Sequence, residues 1–204
     1  MAPIYKLTYF NAMARVEPIR FLLSYGNIEF EDIRISQDDW SKIKPNMPFG
    51  QLPLFEFDDF KANQSIAICR YVAKQVKLVG SNDIENLEID AVVDTVSDMR
   101  AKTVVFKHES DSAKKENLKK TLVEETLPYY LERFEAFAKS KGGYLAVGKL
   151  TWADIYFVAY LESMCTLMGK NLIENCPTLQ NLEKRILNLP GIKAWIAKRP
   201  VTAV

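Results

Sequence analysis

Residues 4–25, IYKLTYFNAMARVEPIRFLLSY, decide the fold. From Ile4 to Tyr9, apolar and polar side chains alternate with the two-residue period of a half-buried strand, and Ala14 to Tyr25 then carries the pattern of a helix. Working outward, Phe30 to Ile35 suits a second strand, Leu52 to Phe57 a third and Lys61 to Asn63 a fourth, ahead of a helix from Ser65 to Gln75. The order is β-α-β, loop, β-β-α. A tight turn is expected at Asp58-Asp59, where positive φ at the second residue would suit glycine better and aspartate adopts it at some cost.

Val79-Gly80-Ser81-Asn82 has the composition of a linker, and beyond it the strand pattern stops. Ile89, Val92, Val93, Val96 and Met99 make one helical apolar stripe, and Leu118 to Lys139 makes another. Thr151-Trp152-Ala153-Asp154 has the spacing of a capping box, with Leu150 and Ile155 placed to form its hydrophobic staple. Pro190-Gly191 separates two later helical pieces, and Arg199-Pro200 ends the last. Two domains are therefore expected. Residues 1–78 have the element order of a thioredoxin-like α/β domain and residues 83–204 are all-helical.

The 204 residues carry a formal net charge of +1 with acids and bases interspersed, so no basic stripe points to nucleic acid or an anionic membrane. Apolar stretches such as Ile155 to Leu161 are too short to span a bilayer, and Met1-Ala2-Pro3-Ile4 lacks a signal-peptide layout; a cytoplasmic address is expected. Cys69, Cys165 and Cys176 form no CxxC or Cys/His cluster and are expected to be reduced, buried thiols. The single histidine, His108, has no partner suggesting a triad or metal site.

Where the first strand runs into the first helix, the residues able to do chemistry are Tyr9, Asn11 and Arg15. Redox members of the thioredoxin-like group place CxxC at this junction; here a tyrosine stands there, so the chain offers a phenol instead of a thiol. A phenol is a protonated donor at neutral pH and can stabilise a thiolate that arrives with a substrate. Lowering a thiol pKa of about 8.5 by about two units requires about 2.7 kcal/mol. One charge-assisted hydrogen bond gives about 1.5 to 3 kcal/mol, so Tyr9 with modest help from Arg15 or a helix N-terminus is sufficient. On spacing alone Tyr9 reads equally as an ordinary strand aromatic.

Gly50-Gln51-Leu52-Pro53 puts a proline where a strand begins. It is either a trans proline at a strand edge or a cis bond that turns the Leu52 backbone outward to pair with a peptide-like ligand. Ser65 can cap the following helix, and with Gln64 it stands where a helix start can host a carboxylate, although such caps are commonly structural. Trp40 and Lys44, in the loop between the second and third strands, offer an indole donor and an ammonium for a second carboxylate or remain solvated. Asp90, Asp94 and Asp98 line one helix face at four-residue spacing, where like charges repel by a few tenths of a kcal/mol per pair; the face is either simply solvated or answered by a cation such as a substrate ammonium, an arginine across a dimer interface or a divalent metal.

These features occur together as Tyr-Lys-Leu-Thr-Tyr-Phe-Asn at 5–11, Glu17-Pro18-Ile19-Arg20, Trp40, Pro48-Phe49-Gly50, Gln64-Ser65 and Thr151-Trp152-Ala153-Asp154. Over essentially its whole length the chain resembles a cytosolic glutathione transferase of the sigma class, closer to the invertebrate members than to the vertebrate prostaglandin D synthases. The resemblance implies that Tyr9 activates the glutathione thiol with Arg15 assisting. It implies that Trp40 and Lys44 hold the glycine carboxylate alongside Gly50 and Gln51, that Leu52 pairs with the cysteinyl unit, and that Gln64 and Ser65 take the γ-glutamyl carboxylate. Asp98 of a second subunit would meet the γ-glutamyl ammonium, which implies a homodimer. Phe10, Ala14, Val105 and Tyr156 would line the electrophile pocket, with glutathione as co-substrate and no metal.

Three positions depart from the pattern. Gln51 stands where relatives often carry lysine, Ser97 where the vertebrate synthases look acidic, and Val105 where those synthases have a large aromatic. The implied reaction is conjugation of glutathione to hydrophobic electrophiles such as haloaromatics or lipid-peroxidation products. The alternatives are glutathione-dependent isomerisation of a prostaglandin endoperoxide, or a non-catalytic crystallin-like or ligand-carrier role.

Overall fold

The computed structural model describes residues 4–202. In chain order the elements are β1 (Tyr5–Phe10), α1 (Glu17–Tyr25), β2 (Phe30–Ile35), α2 (Gln37–Ile43), β3 (Leu54–Phe57), β4 (Phe60–Ala62) and α3 (Ser65–Gln75). Then come α4 (Asp83–His108), α5 (Ser112–Thr121), α6 (Leu127–Ser140), α7 (Trp152–Met168), α8 (Pro177–Leu187) and α9 (Pro190–Lys198). They fall into two compact units, one running to Lys77 and taking in the segment from Leu189, the other Leu78–Asn188.

In the first unit the strands form one mixed sheet in the order β2-β1-β3-β4. β1 runs parallel to β2, pairing Tyr5 with Phe30 and Phe10 with Ile35, and antiparallel to β3, pairing Thr8 with Leu54. β3 and β4 close as a hairpin. This is the thioredoxin-like arrangement expected from the element order. Leu7, Leu54 and Phe55 from the sheet, Ile19, Leu22 and Leu23 from α1, and Ile68 and Val72 from α3 are buried in its core.

Several local expectations are corrected. Thr8 is buried as well as Leu7 and Tyr9, so β1 is more than half-buried, as befits a strand flanked on both edges. The first helix starts at Glu17 and not at Ala14: residues 11–16 form a turn in which Ala14 has φ 37°, and Pro18 sits in the first helical turn, where its missing N–H costs nothing. The Leu52-Pro53 bond is cis and β3 begins only at Leu54. In the β3–β4 turn it is Asp58, the first residue, that has positive φ, 48°. The region of Trp40 and Lys44 is not a plain loop, because Ser36 caps α2 by accepting the Asp39 N–H at 3.1 Å.

The segment from Leu189 belongs with the sheet unit, whereas the sequence pattern groups it with residues 83–204. The cause is α9. Trp195 Nε1 and Arg199 Nη1 donate to Glu17 Oε1 at 2.8 and 2.7 Å. A Cβ at Gly191 would stand 1.9 Å from the Ser24 carbonyl oxygen, so glycine permits the close approach of α9 to the end of α1.

In the helical unit α7 packs on α4 and α8, and α6 on α8. The stripe of Ile89, Val92, Val93, Val96 and Met99 is buried. Asn82, in the expected linker, caps α4 by accepting the Glu85 N–H at 3.0 Å. The Thr151/Asp154 capping box is present. The second stripe is interrupted by a π-turn, Leu122–Thr126, which ends two residues before Pro128; a proline removes one i→i−4 bond and crowds the carbonyl four residues back, which widens the turn. Cys69 and Cys176 are buried free thiols, whereas Cys165 is only partly buried.

Candidate functional site

Tyr9 lies next to the C-terminal end of β1 and is 8 % exposed. Its ring meets Phe10 edge-on at 5.5 Å between centroids, and Phe10 meets Trp40 edge-on at 5.9 Å. The strand register thus sets Tyr9, and the short α2 brings Trp40 to the same end of the sheet. Arg15 is exposed on the β1–α1 turn, one residue after Ala14.

A second group of the expected residues converges around the segment that precedes β3. Lys44, exposed, packs its methylenes against Gly50, whose φ is 58°. Gln64 Nε2 donates to Gln51 Oε1 at 3.3 Å, and Asn63 Nδ2 donates to the Pro48 carbonyl at 3.5 Å. The β4–α3 turn is therefore tied to the segment carrying Gly50, Gln51 and Leu52. Gln64, not Ser65, occupies the cap position of α3, with φ 71° and no capping side-chain bond; Ser65 is the first helical residue and is buried. The N-terminus of α3 presents backbone N–H groups and the positive end of its dipole at this place.

In the helical unit Asp94 and Asp98 are exposed on α4. Val105 is 59 % exposed, whereas Tyr156 is only 1 % exposed, with its hydroxyl 2.7 Å from Ser97 Oγ and its ring 4.8 Å from that of Tyr160. Among the described residues no group of His, Cys, Asp and Glu could hold a metal ion. An open, polar cavity of about 530 Å³ in this unit is lined by Glu85, Glu88, Lys141 and Val147 and contains none of the expected site residues. Its carboxylates are already engaged, Glu88 by Lys141 at 2.8 Å and Glu85 by Lys149 at 2.9 Å.

A charged cluster beneath the β1–α1 turn goes beyond the residues expected from the sequence. Glu17 and Arg20 are wholly buried and joined at 3.0 Å. Arg20 also donates to Asp32 at 2.8 Å and to the Ala12 carbonyl at 2.8 Å. Asp32 in turn accepts Arg34 at 2.8 Å, and Arg34 donates to Asn11 at 2.9 Å. The sequence signal for it is a glutamate and an arginine three apart within an otherwise apolar helix face, a spacing that pairs them on one side.

A mixed four-stranded thioredoxin-like unit in a chain that also carries a helical unit is the fold of a glutathione-transferase-type protein. Residues 5–74 match the family model of the glutathione S-transferase N-terminal domain and residues 97–199 that of the C-terminal domain. The chain belongs to the glutathione S-transferase family. It is 48 % identical over 202 residues to a glutathione S-transferase of Anopheles gambiae, covering 99 % of this chain and all of the relative. It is 36 % identical to the hematopoietic prostaglandin D synthase of Rattus norvegicus over 98 % of each chain. The solved structure of a prostaglandin synthase D of Nilaparvata lugens matches with a TM-score of 0.94 and 46 % identity, over 98 % of this chain and all of that one.

Proposed function

We propose that the protein is a sigma-class glutathione transferase that conjugates glutathione to hydrophobic electrophiles, lipid-peroxidation products among them, and so acts in detoxification. The observation that carries this is Tyr9, a phenol beside the sheet end at which Trp40 also stands, in a chain whose fold relatives are glutathione S-transferases. Tyr9 donates to the sulfur and Arg15 adds positive charge, which together favour the thiolate. Lys44 and the Trp40 indole N–H hold the glycine carboxylate beside Gly50 and Gln51. The Leu52 backbone pairs with the cysteinyl unit, and Gln64, Ser65 and the α3 N-terminus take the γ-glutamyl carboxylate. No metal enters this chemistry. The thiolate attacks an electrophile held near Phe10, Ala14, Val105 and Tyr156, and rate comes from ionisation plus proximity.

The protein works in the cytoplasm as a homodimer, with Asp98 of one copy meeting the γ-glutamyl ammonium bound to the other. Phe49, 87 % exposed with φ 52°, is an apolar side chain of the kind a second copy would cover. A second reading, isomerisation of a prostaglandin endoperoxide with glutathione recycled, is favoured by the likeness to the Nilaparvata structure. A thiol-consumption screen over haloaromatics, unsaturated aldehydes and the prostaglandin endoperoxide tests both. Loss of thiol with the first two supports conjugation. Turnover of the endoperoxide without net loss of thiol supports the isomerase, and no turnover of any of them refutes both readings.

A further inference from the structure

We propose that Arg20 is a positioning residue for thiol activation, acting by clamping the turn that follows Tyr9. The inference rests on the thiol-activating reading of Tyr9 and Arg15. That turn has little to hold it locally: Ala12 N–H donates to the Phe10 carbonyl at 2.7 Å, Val16 and Glu17 N–H donate to the Met13 carbonyl, and Ala14 adopts φ 37°, a region a non-glycine residue enters at a cost. Its remaining polar anchors come from guanidinium groups rooted elsewhere. Arg20 Nη1 donates to the Ala12 carbonyl at 2.8 Å, and Arg34 Nη1 donates to Asn11 Oδ1 at 2.9 Å. Both guanidiniums are aimed by one carboxylate, because Asp32 Oδ1 accepts Arg20 Nε and Oδ2 accepts Arg34 Nε, each at 2.8 Å.

Glu17 completes the clamp. One of its oxygens accepts Arg20 at 3.0 Å, and the other accepts Trp195 and Arg199 from α9 and the residue after it. Arg20, Glu17 and Asp32 are thus fixed by contacts from three elements, α1, β2 and α9. A buried ion cluster adds little net stability over apolar packing, so stability is a weak reason for a guanidinium in the core of α1. What the guanidinium does, and a point-like ammonium cannot, is donate in fixed directions to Glu17, Asp32 and the Ala12 carbonyl at once. The carbonyl it holds lies two residues after Phe10 and three before Arg15. A looser turn lets Arg15 and the end of β1 drift from the sulfur, and the cost appears in thiol ionisation.

The test is Arg20→Lys, with the thiolate of bound glutathione titrated by its ultraviolet absorbance alongside KM, kcat and the melting temperature. Wild-type protein is titrated first; if it binds glutathione without ionising it, the underlying reading of Tyr9 fails, and that is seen before any variant is made. With wild type ionising the thiol, Arg20→Lys is expected to raise the midpoint by about one pH unit and to lower kcat/KM below neutrality about tenfold, at temperatures where it stays folded. An unchanged midpoint overturns the proposal whatever happens to the melting temperature. Should Arg20→Lys fail to fold, Asp32→Asn, which keeps the shape and weakens the aim of both guanidiniums, decides by the same criterion.

Discussion

Trp195 donates its indole N–H to Glu17 Oε1 at 2.8 Å, joining residues 178 positions apart through a wholly buried carboxylate. Trp195→Phe removes the donor, so the carboxylate loses one of its charge-assisted bonds, and with it part of the ring packed against Phe30. The expected loss is about 1.5 to 3 kcal/mol, measured by urea denaturation with an unchanged m-value. A loss within experimental error would show that Arg199 and Arg20 satisfy Glu17 alone.

Gly191→Ala tests the seating of α9. The added methyl would stand 1.9 Å from the Ser24 carbonyl oxygen and 2.7 Å from its carbon, and backbone cannot rotate aside as a side chain does. Helix propensity would favour alanine by about 1 kcal/mol, but the clash is expected to outweigh it and destabilise the protein by about 1 to 3 kcal/mol. A higher melting temperature for the variant would contradict this packing.

Asp154 gives a pH signature. Burial pushes its carboxyl up from 3.8 to about 6, against the opposing effect of three donors: Leu145 N–H at 2.7 Å, Thr151 N–H at 2.8 Å and the Thr151 hydroxyl at 3.2 Å. The folded state then binds this proton more tightly than the unfolded state, so the group's stabilisation is fully present below pH 4, declines as pH rises to about 6, and is level above that. The whole swing is at most about 3 kcal/mol. Asp154→Asn is expected to flatten this slope relative to wild type while lowering stability at pH 7, because an amide N–H₂ faces donors that need an acceptor. Parallel pH profiles for the two proteins would refute the assignment.

How far the sequence shows this structure depends on how local each feature is. β2 and α3 are legible to the residue because their patterns and flanking breakers lie within them. α2 is not, since its seven residues bury no side chain and so carry no periodicity; its one signal is Ser36 three residues before Asp39. The left-handed Ala14 leaves no trace, as alanine is an ordinary helix former and the turn's anchors, the Arg20 and Arg34 guanidiniums, come from elsewhere in the fold. The pairings of Glu17 with Trp195 and of Tyr156 with Ser97 are distant in sequence, so no window contains both partners. Among the expected site residues, the proximity of Gln51 to Gln64 and of Gly50 to Lys44 likewise depends on how the segment before β3 folds back.

Tyr9→Phe is the sharpest test of the chemistry. The side chain is largely buried and packed on Phe10, so the variant keeps the ring and its edge-on contact with Phe10. If Tyr9 is the proposed donor to the thiolate, the loss is about 1.5 to 3 kcal/mol, which corresponds to a roughly ten- to hundredfold fall in kcat/KM near neutral pH. The fall should shrink toward high pH, where free glutathione ionises unaided, and KM for glutathione should change little if its carboxylates are held by the other residues proposed for them. A variant with full conjugation activity at neutral pH would remove the phenol from the mechanism. A variant with raised KM and unchanged kcat would instead make Tyr9 a binding contact.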